Sequence, residues 1–150
     1  MKEKDMSTKK LGQYTLIIIL IMVSLLGCSQ KTNELADTSW ELVSLNGKEL
    51  IEGTAITLVF TETYLGGQMG CNGYGGSPDT GKYNIKRDGT FQIGDPFAVT
   101  VQLCTEPEGI MEQEAAYIEA LMNAAKFRMV DNRLEIDNGI GETILILQVK

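Results

Sequence analysis

The chain has 150 residues, 43% of them hydrophobic, and a formal net charge of −7. That length supports one domain with a modest core, and the acidic balance excludes a nucleic-acid partner, whose phosphates demand a basic face. Histidine is absent, which excludes Ser-His-Asp and Cys-His nucleophiles and imidazole-built zinc sites and leaves only carboxylate or lysine chemistry.

Lys2, Lys4, Lys9 and Lys10 precede an apolar run from Leu16 to Leu26, which ends in Leu25-Leu26-Gly27-Cys28. A basic start, a short apolar segment and a small residue before a cysteine read as a bacterial lipoprotein signal. The run is short of the roughly 20 apolar residues that a spanning helix needs. Residues 1–27 are therefore expected to be a cleaved signal peptide and Cys28 the lipidated N-terminus. The protein would then sit in the bacterial cell envelope, on the extracytoplasmic side of a membrane. Two acyl chains anchor stably where one is marginal. Residues 28–37 read as a lipidated tether and 38–150 as the domain. The leader holds 4 of the 13 basic and 2 of the 20 acidic residues, so the mature part keeps 9 and 18, a net charge of −9. The membrane is thus a partner through lipid alone, since anionic headgroups would repel this charge. The acidic surface reads as solubilising, with no metal site and no cofactor expected.

Thr38 to Leu45 is strand-like, with Trp40 and Leu42 on one face. Asn46-Gly47 follows as a hairpin signal, because both residues tolerate positive φ. Ile56 to Phe60 alternates, with Ile56, Leu58 and Phe60 pointing one way and Thr57 and Val59 the other. Thr61 to Thr63 turns the chain into Tyr64 to Met69. Gly70 to Ser77 is glycine-dense and is expected to be irregular or bulged. Tyr83 and Ile85 mark a strand, Asp88-Gly89 a turn, and Phe91 with Ile93 the partner strand. Phe127 to Val130, Arg133 to Asp137 and Thr143 to Val149 add three strands, with Asp131-Asn132 and Asn138-Gly139 as tight turns. The last of these is apolar on both faces, as for a strand covered on both sides.

One helix interrupts the strands. Thr105-Glu106-Pro107-Glu108 reads as a capping box. Met111, Ala115, Ile118, Met122 and Ala125 recur at helical spacing, and Leu121 widens the stripe. This predicts a core-facing side, with Glu112, Gln113, Glu119 and Asn123 outward. Glu106, Glu108, Glu112 and Glu114 gather at the helix start, where they favour its dipole. If Cys28 carries lipid, Cys71 and Cys104 remain. An exported address permits a disulfide between them; the alternative is two buried thiols packing as small hydrophobes.

Trp40-Glu41-Leu42 with Asn46-Gly47, a strand ending at Phe60, Gly70-Cys71-Asn72-Gly73-Tyr74-Gly75-Gly76, Thr100-Val101-Gln102-Leu103-Cys104, and a helix with Glu114 and Leu121 follow one another in this order. That order resembles the META domain (HslJ-like) family over about Thr38 to Val149. The resemblance implies a mainly β (α+β) fold: a small antiparallel β-barrel or strongly curved sheet packed by one helix. It also implies an envelope protein associated with heat or antibiotic stress, secretion or motility, and it brings no catalytic residues. On this reading Cys71 and Cys104 are two halves of one staple. Asn72 either satisfies loop amides or, with Tyr74, contacts a ligand or partner at the barrel mouth.

The favoured function is a lipid-anchored, non-catalytic interaction or stress-protection module with an envelope protein as partner. The alternatives are a small-ligand-binding barrel and an inhibitor of an exported hydrolase such as a lysozyme-like enzyme, whose basic surface would suit an acidic binder. A carboxylate enzyme built from Asp95, Glu106 and Glu108 ranks last, since nothing in their spacing singles out a pair.

Overall fold

The first strand shows how a local irregularity sets the core. In the computed structural model, which describes residues 33–77, 79–94 and 98–150, β1 (Thr38–Leu45) buries Trp40, Leu42 and Leu45. The step from 42 to 45 breaks strict alternation. A register shift against the neighbouring strand falls between Leu42 and Ser44, and the extra residue returns Leu45 to the inner face. Cys28, the 1–27 leader, the tether up to residue 32 and Asp95 lie outside the described residues.

The folded unit is Asn33–Lys150. It begins ahead of the expected boundary at Thr38. Leu35 is buried in the core, and Asn33 donates its side-chain amide to the Tyr83 hydroxyl at 2.6 Å. Residues 33–37 therefore belong to the domain and not to the tether.

The remaining strands are β2 (Thr57–Phe60), β3 (Leu65–Gln68), β4 (Gly73–Gly75), β5 (Tyr83–Ile85), β6 (Phe91–Ile93), β7 (Ala124–Val130), β8 (Arg133–Asn138) and β9 (Thr143–Val149). Seven form one antiparallel sheet in the order β4-β3-β2-β1-β9-β8-β7, and β5 and β6 form a separate hairpin. The fold is mainly β, and the large sheet is curved without closing into a barrel. The hairpin reaches both flanks of the sheet. Leu65 N–H donates to the Gly81 carbonyl at 2.9 Å, and Phe127 N–H donates to the Gly89 carbonyl at 2.9 Å.

Turn chemistry fixes the registers. Asn46 and Gly47 both take positive φ, 51° and 75°, and Leu45 exchanges two backbone bonds with Lys48. Asp131 and Asn132, at 48° and 62°, close the β7–β8 hairpin directly. Both are two-residue turns that match strand twist. In the β8–β9 turn the left-handed residue is Gly141, and the Asn138 side chain accepts the N–H groups of Ile140 and Glu142. The Ile56, Leu58 and Phe60 side is fully buried, and Val59 is partly exposed. Central β9, between β1 and β8, buries Ile144, Leu145 and Leu147.

The glycine-dense segment contains a strand where irregular chain was expected. The tight β3–β4 pairing depends on missing side chains. A Cβ on Gly67 would stand 2.0 Å from the Thr57 carbonyl oxygen, and one on Gly75 would stand 2.2 Å from that of Leu65. Those approaches exclude any other residue without a backbone shift.

The helix α1 (Ile110–Met122) departs from expectation in two ways. No side chain caps its start; Gly109 in the left-handed region precedes it, so the capping box does not form. Its buried side is Ile110, Gln113, Glu114, Tyr117, Ala120 and the expected Leu121; of the expected stripe Ile118 packs half-buried against the core, while Ala115 and Met122 are exposed and Ala125 lies in β7. Two polar residues face inward because each has a distant loop to hold.

Candidate functional site

Gln113 and Glu114 are the two side chains that turn the helix. Gln113 accepts the Ile51 N–H at 2.7 Å and donates to the Thr54 hydroxyl at 2.9 Å, which ties the β1–β2 connection down. Glu114 does the same for the glycine-rich loop. One of its oxygens accepts the N–H of Cys71 at 2.7 Å and of Asn72 at 2.6 Å, and the other accepts the Asn72 side-chain amide at 2.8 Å. The carboxylate is only 4% exposed. Bonds from N–H groups to a carboxylate are about twice as strong as neutral ones, and successive backbone amides form a natural anion cradle.

Asn72 carries the connection one step outward. Its amide donates to the Gln102 carbonyl at 2.9 Å, and its oxygen accepts the Gln102 N–H at 2.8 Å and the Thr100 hydroxyl at 3.1 Å. With Glu114 as its other partner, the side chain uses both donor hydrogens and both acceptor sites. Paired with N–H and C=O of one residue, it imitates a peptide unit of a β-ladder. Nearer β4 the ladder is real: Gly75 N–H donates to the Ala98 carbonyl at 2.8 Å, and Thr100 N–H donates to the Gly73 carbonyl at 3.0 Å. Residues 98–102 thus lie along β4, and Cys104, disulfide-bonded to Cys71 with Cα atoms 6.3 Å apart, pins the far end. The bond closes a 33-residue separation, worth about 3–4 kcal/mol by chain entropy.

Tyr74 points into the core. Its hydroxyl donates to the Thr57 carbonyl at 2.9 Å and lies 2.6 Å from the Tyr117 hydroxyl. A phenol has one hydrogen, so Tyr117 donates to Tyr74. The rings meet edge to face at 5.6 Å. Burial pushes both phenols well above their ordinary range, and the neighbouring Tyr117 adds to the rise at Tyr74.

Of the two roles expected for Asn72, the geometry shows the structural one, in which its side chain satisfies a loop amide, and both Asn72 and Tyr74 are buried and hydrogen-bonded to protein groups. What they and the disulfide support is the outer segment. There Val99, Val101 and Leu103 alternate with Thr100 and Gln102 and are 42%, 98% and 83% exposed. Sequence reasoning passed over this stripe, although its apolar–polar alternation was visible. It also missed the inward Glu114, whose signal was the helical spacing of Ile110, Tyr117 and Leu121 around it.

Other candidates resolve differently. Glu106 and Glu108 are exposed, and Glu114 is committed to the loop. No group of three or more metal-ligating side chains occurs among the described residues. An open cleft of about 530 Å³ lies at the helix C-terminus, bordered by Asn46, Glu119, Asn123 and Asn138. Asn138 is already used by its own turn.

Against known proteins, the META domain family matches over residues 33–150. The chain is similar to an NMR structure of a protein from Burkholderia xenovorans, with 26% identity and a TM-score of 0.57 over 77% of this chain and 83% of that one. A second protein solved by NMR has 22% identity and the same TM-score over 77% of this chain and 92% of its own. These likenesses speak to the fold. No curated protein matches.

Proposed function

The chain belongs to the META domain family, and we propose that it works as a lipid-anchored interaction module of the bacterial cell envelope that binds a protein partner without catalysis. The observation that carries this reading is how the motif residues are used. Glu114, Asn72, Tyr74 and the Cys71–Cys104 bond make contacts within the protein, and together they hold an apolar stripe out to solvent. Exposed apolar residues grouped on one element mark interaction surfaces more often than scattered ones do. In this reading Cys28 supplies the anchor, and stress protection follows from the partner engaged.

Native mass spectrometry of the full lipoprotein, released gently from its own envelope, tests this. The expected species carries lipid mass at Cys28 and a second polypeptide, and Leu103→Lys loses that polypeptide while the domain stays folded. Replacing Cys28 by Ser should release the protein from the membrane and abolish its phenotype. A bound small molecule in place of a polypeptide would favour the ligand-binding reading and overturn this one.

A further inference from the structure

We infer that residues 98–103 form an open edge strand that accepts an extended, apolar and basic segment of a protein partner as an added β-strand. This rests on the interaction-module reading and specifies its mode and the partner's chemistry.

The first support is the direction of the backbone groups. Along an antiparallel strand successive residues aim their N–H and C=O to opposite sides. Ala98, Thr100 and Gln102 aim theirs at β4 and Asn72. Val99, Val101 and Leu103 aim theirs away, and among the described residues none of the three has a backbone partner. Such a row is a template for another strand, and proteins that must avoid pairing blunt it with lysine, proline or a covering element. None of residues 98–104 is lysine or proline. The exposed Val101 and Leu103 side chains would supply alternate-pocket contacts, as in recognition by strand addition. The segment is also held ready, by the Asn72 clamp and the disulfide, so little ordering cost remains.

Charge selects the occupant. No Lys or Arg occurs between Arg87 and Lys126, whereas Glu106, Glu108 and Glu112 follow the stripe directly and all three are exposed. A basic segment complements this end and is steered to it. A second copy would bring two acidic ends together, and an anionic lipid surface would meet a mature chain, residues 28–150, of net charge −9.

The test uses the full chain in detergent micelles and a dye-labelled peptide of about nine residues, long enough to lie along the edge, alternating Val and Lys. Anisotropy should show saturable binding that weakens as salt is raised. A Val/Glu peptide should bind at least tenfold more weakly. Val101→Pro removes one outward N–H while leaving the inward bonds of Thr100 and Gln102, and should cost at least tenfold. Should that variant misfold, the probe itself decides: of two peptides N-methylated on alternate amides, one should bind like the parent and the other at least tenfold more weakly. Equal binding by both methylated peptides overturns strand addition. So does binding to anionic vesicles that Leu103→Glu abolishes, or self-association through the same residues. If the co-released polypeptide is lost on Leu103→Lys yet the Val/Lys peptide does not bind, the module reading stands and this inference falls.

Discussion

Glu114 and Arg128 each hold several partners, yet they stand at opposite ends of solvation. Glu114 is buried, and three N–H groups of the glycine-rich loop converge on it with no cation among the described residues paired to it. Arg128, on β7, bridges Glu135 and Asp137 of β8 and donates to the Thr143 hydroxyl, with its side chain 44% exposed. The strands beneath Arg128 are already paired by backbone bonds on both sides of β8, with one register shift in each pairing, so its ion pairs add to a structure that other bonds define. In the loop above Glu114 the Asn72 carbonyl accepts the Met69 N–H, but the N–H groups of Cys71 and Asn72 have no backbone acceptor. The carboxylate is what satisfies those amides, and it therefore sets the loop's shape. A charged group contributes most where its partners have no water and no alternative.

Removing the buried anion is the severest way to test that contrast. Glu114→Ala strands two backbone N–H groups and one side-chain amide, and should cost about 3–5 kcal/mol in urea unfolding. Amide exchange at Cys71 and Asn72 should accelerate more than in any β8 strand residue. If the loop stays protected, something else shapes it. Next in size is the staple: replacing Cys71 and Cys104 together by Ser should lower stability by about 3–4 kcal/mol. It should also raise proteolysis within 98–105 first, since that segment loses its far anchor.

The Tyr74–Tyr117 pair sharpens the comparison through pH. Both phenols hold their protons more tightly folded than unfolded, so their contribution is fully present below the unfolded value of about 10 and shrinks as pH rises above it. Urea midpoints should fall from about pH 10 upward, and Tyr117→Phe should make that fall shallower. The smallest effect belongs to the surface cluster. Arg128→Ala should change stability by about 1 kcal/mol, and less at high salt, because the arginine is half exposed and the buried Asp137 keeps the Thr143 hydroxyl. A loss as large as that of Glu114→Ala would dissolve the distinction.

Legibility in the sequence follows the same division. The hairpins at Asn46-Gly47 and Asp131-Asn132, and the alternation of Ile56, Leu58 and Phe60, were readable because local φ preference and period-two burial decide them without distant help. The helix was readable as a helix but not in its orientation. Hydrophobicity chose Met111 and Met122 for the core, whereas Gln113 and Glu114 turn inward to serve loops 62 and 43 residues away. No local pattern encodes that demand. The bridge between Cys71 and Cys104 is one of two options the sequence offers, and the satisfying of a loop amide by Asn72 is one of two as well; the alternative offered for Asn72 and Tyr74 faces outward. Their chemistry faces inward, because an amide and a phenol serve a buried backbone as well as they serve a ligand.

The Asn72 rung has a consequence for how this surface changes over generations. Rungs between main chains survive almost any substitution, because every residue except proline brings the same N–H and C=O. The rung to Gln102 is instead written in one codon. A single missense change there removes the rung to Gln102 and one bond to Glu114, and so alters how firmly the outer strand is held while the main-chain pairs of the sheet remain. Lineages can thus loosen or retune the displayed edge without rebuilding the scaffold behind it.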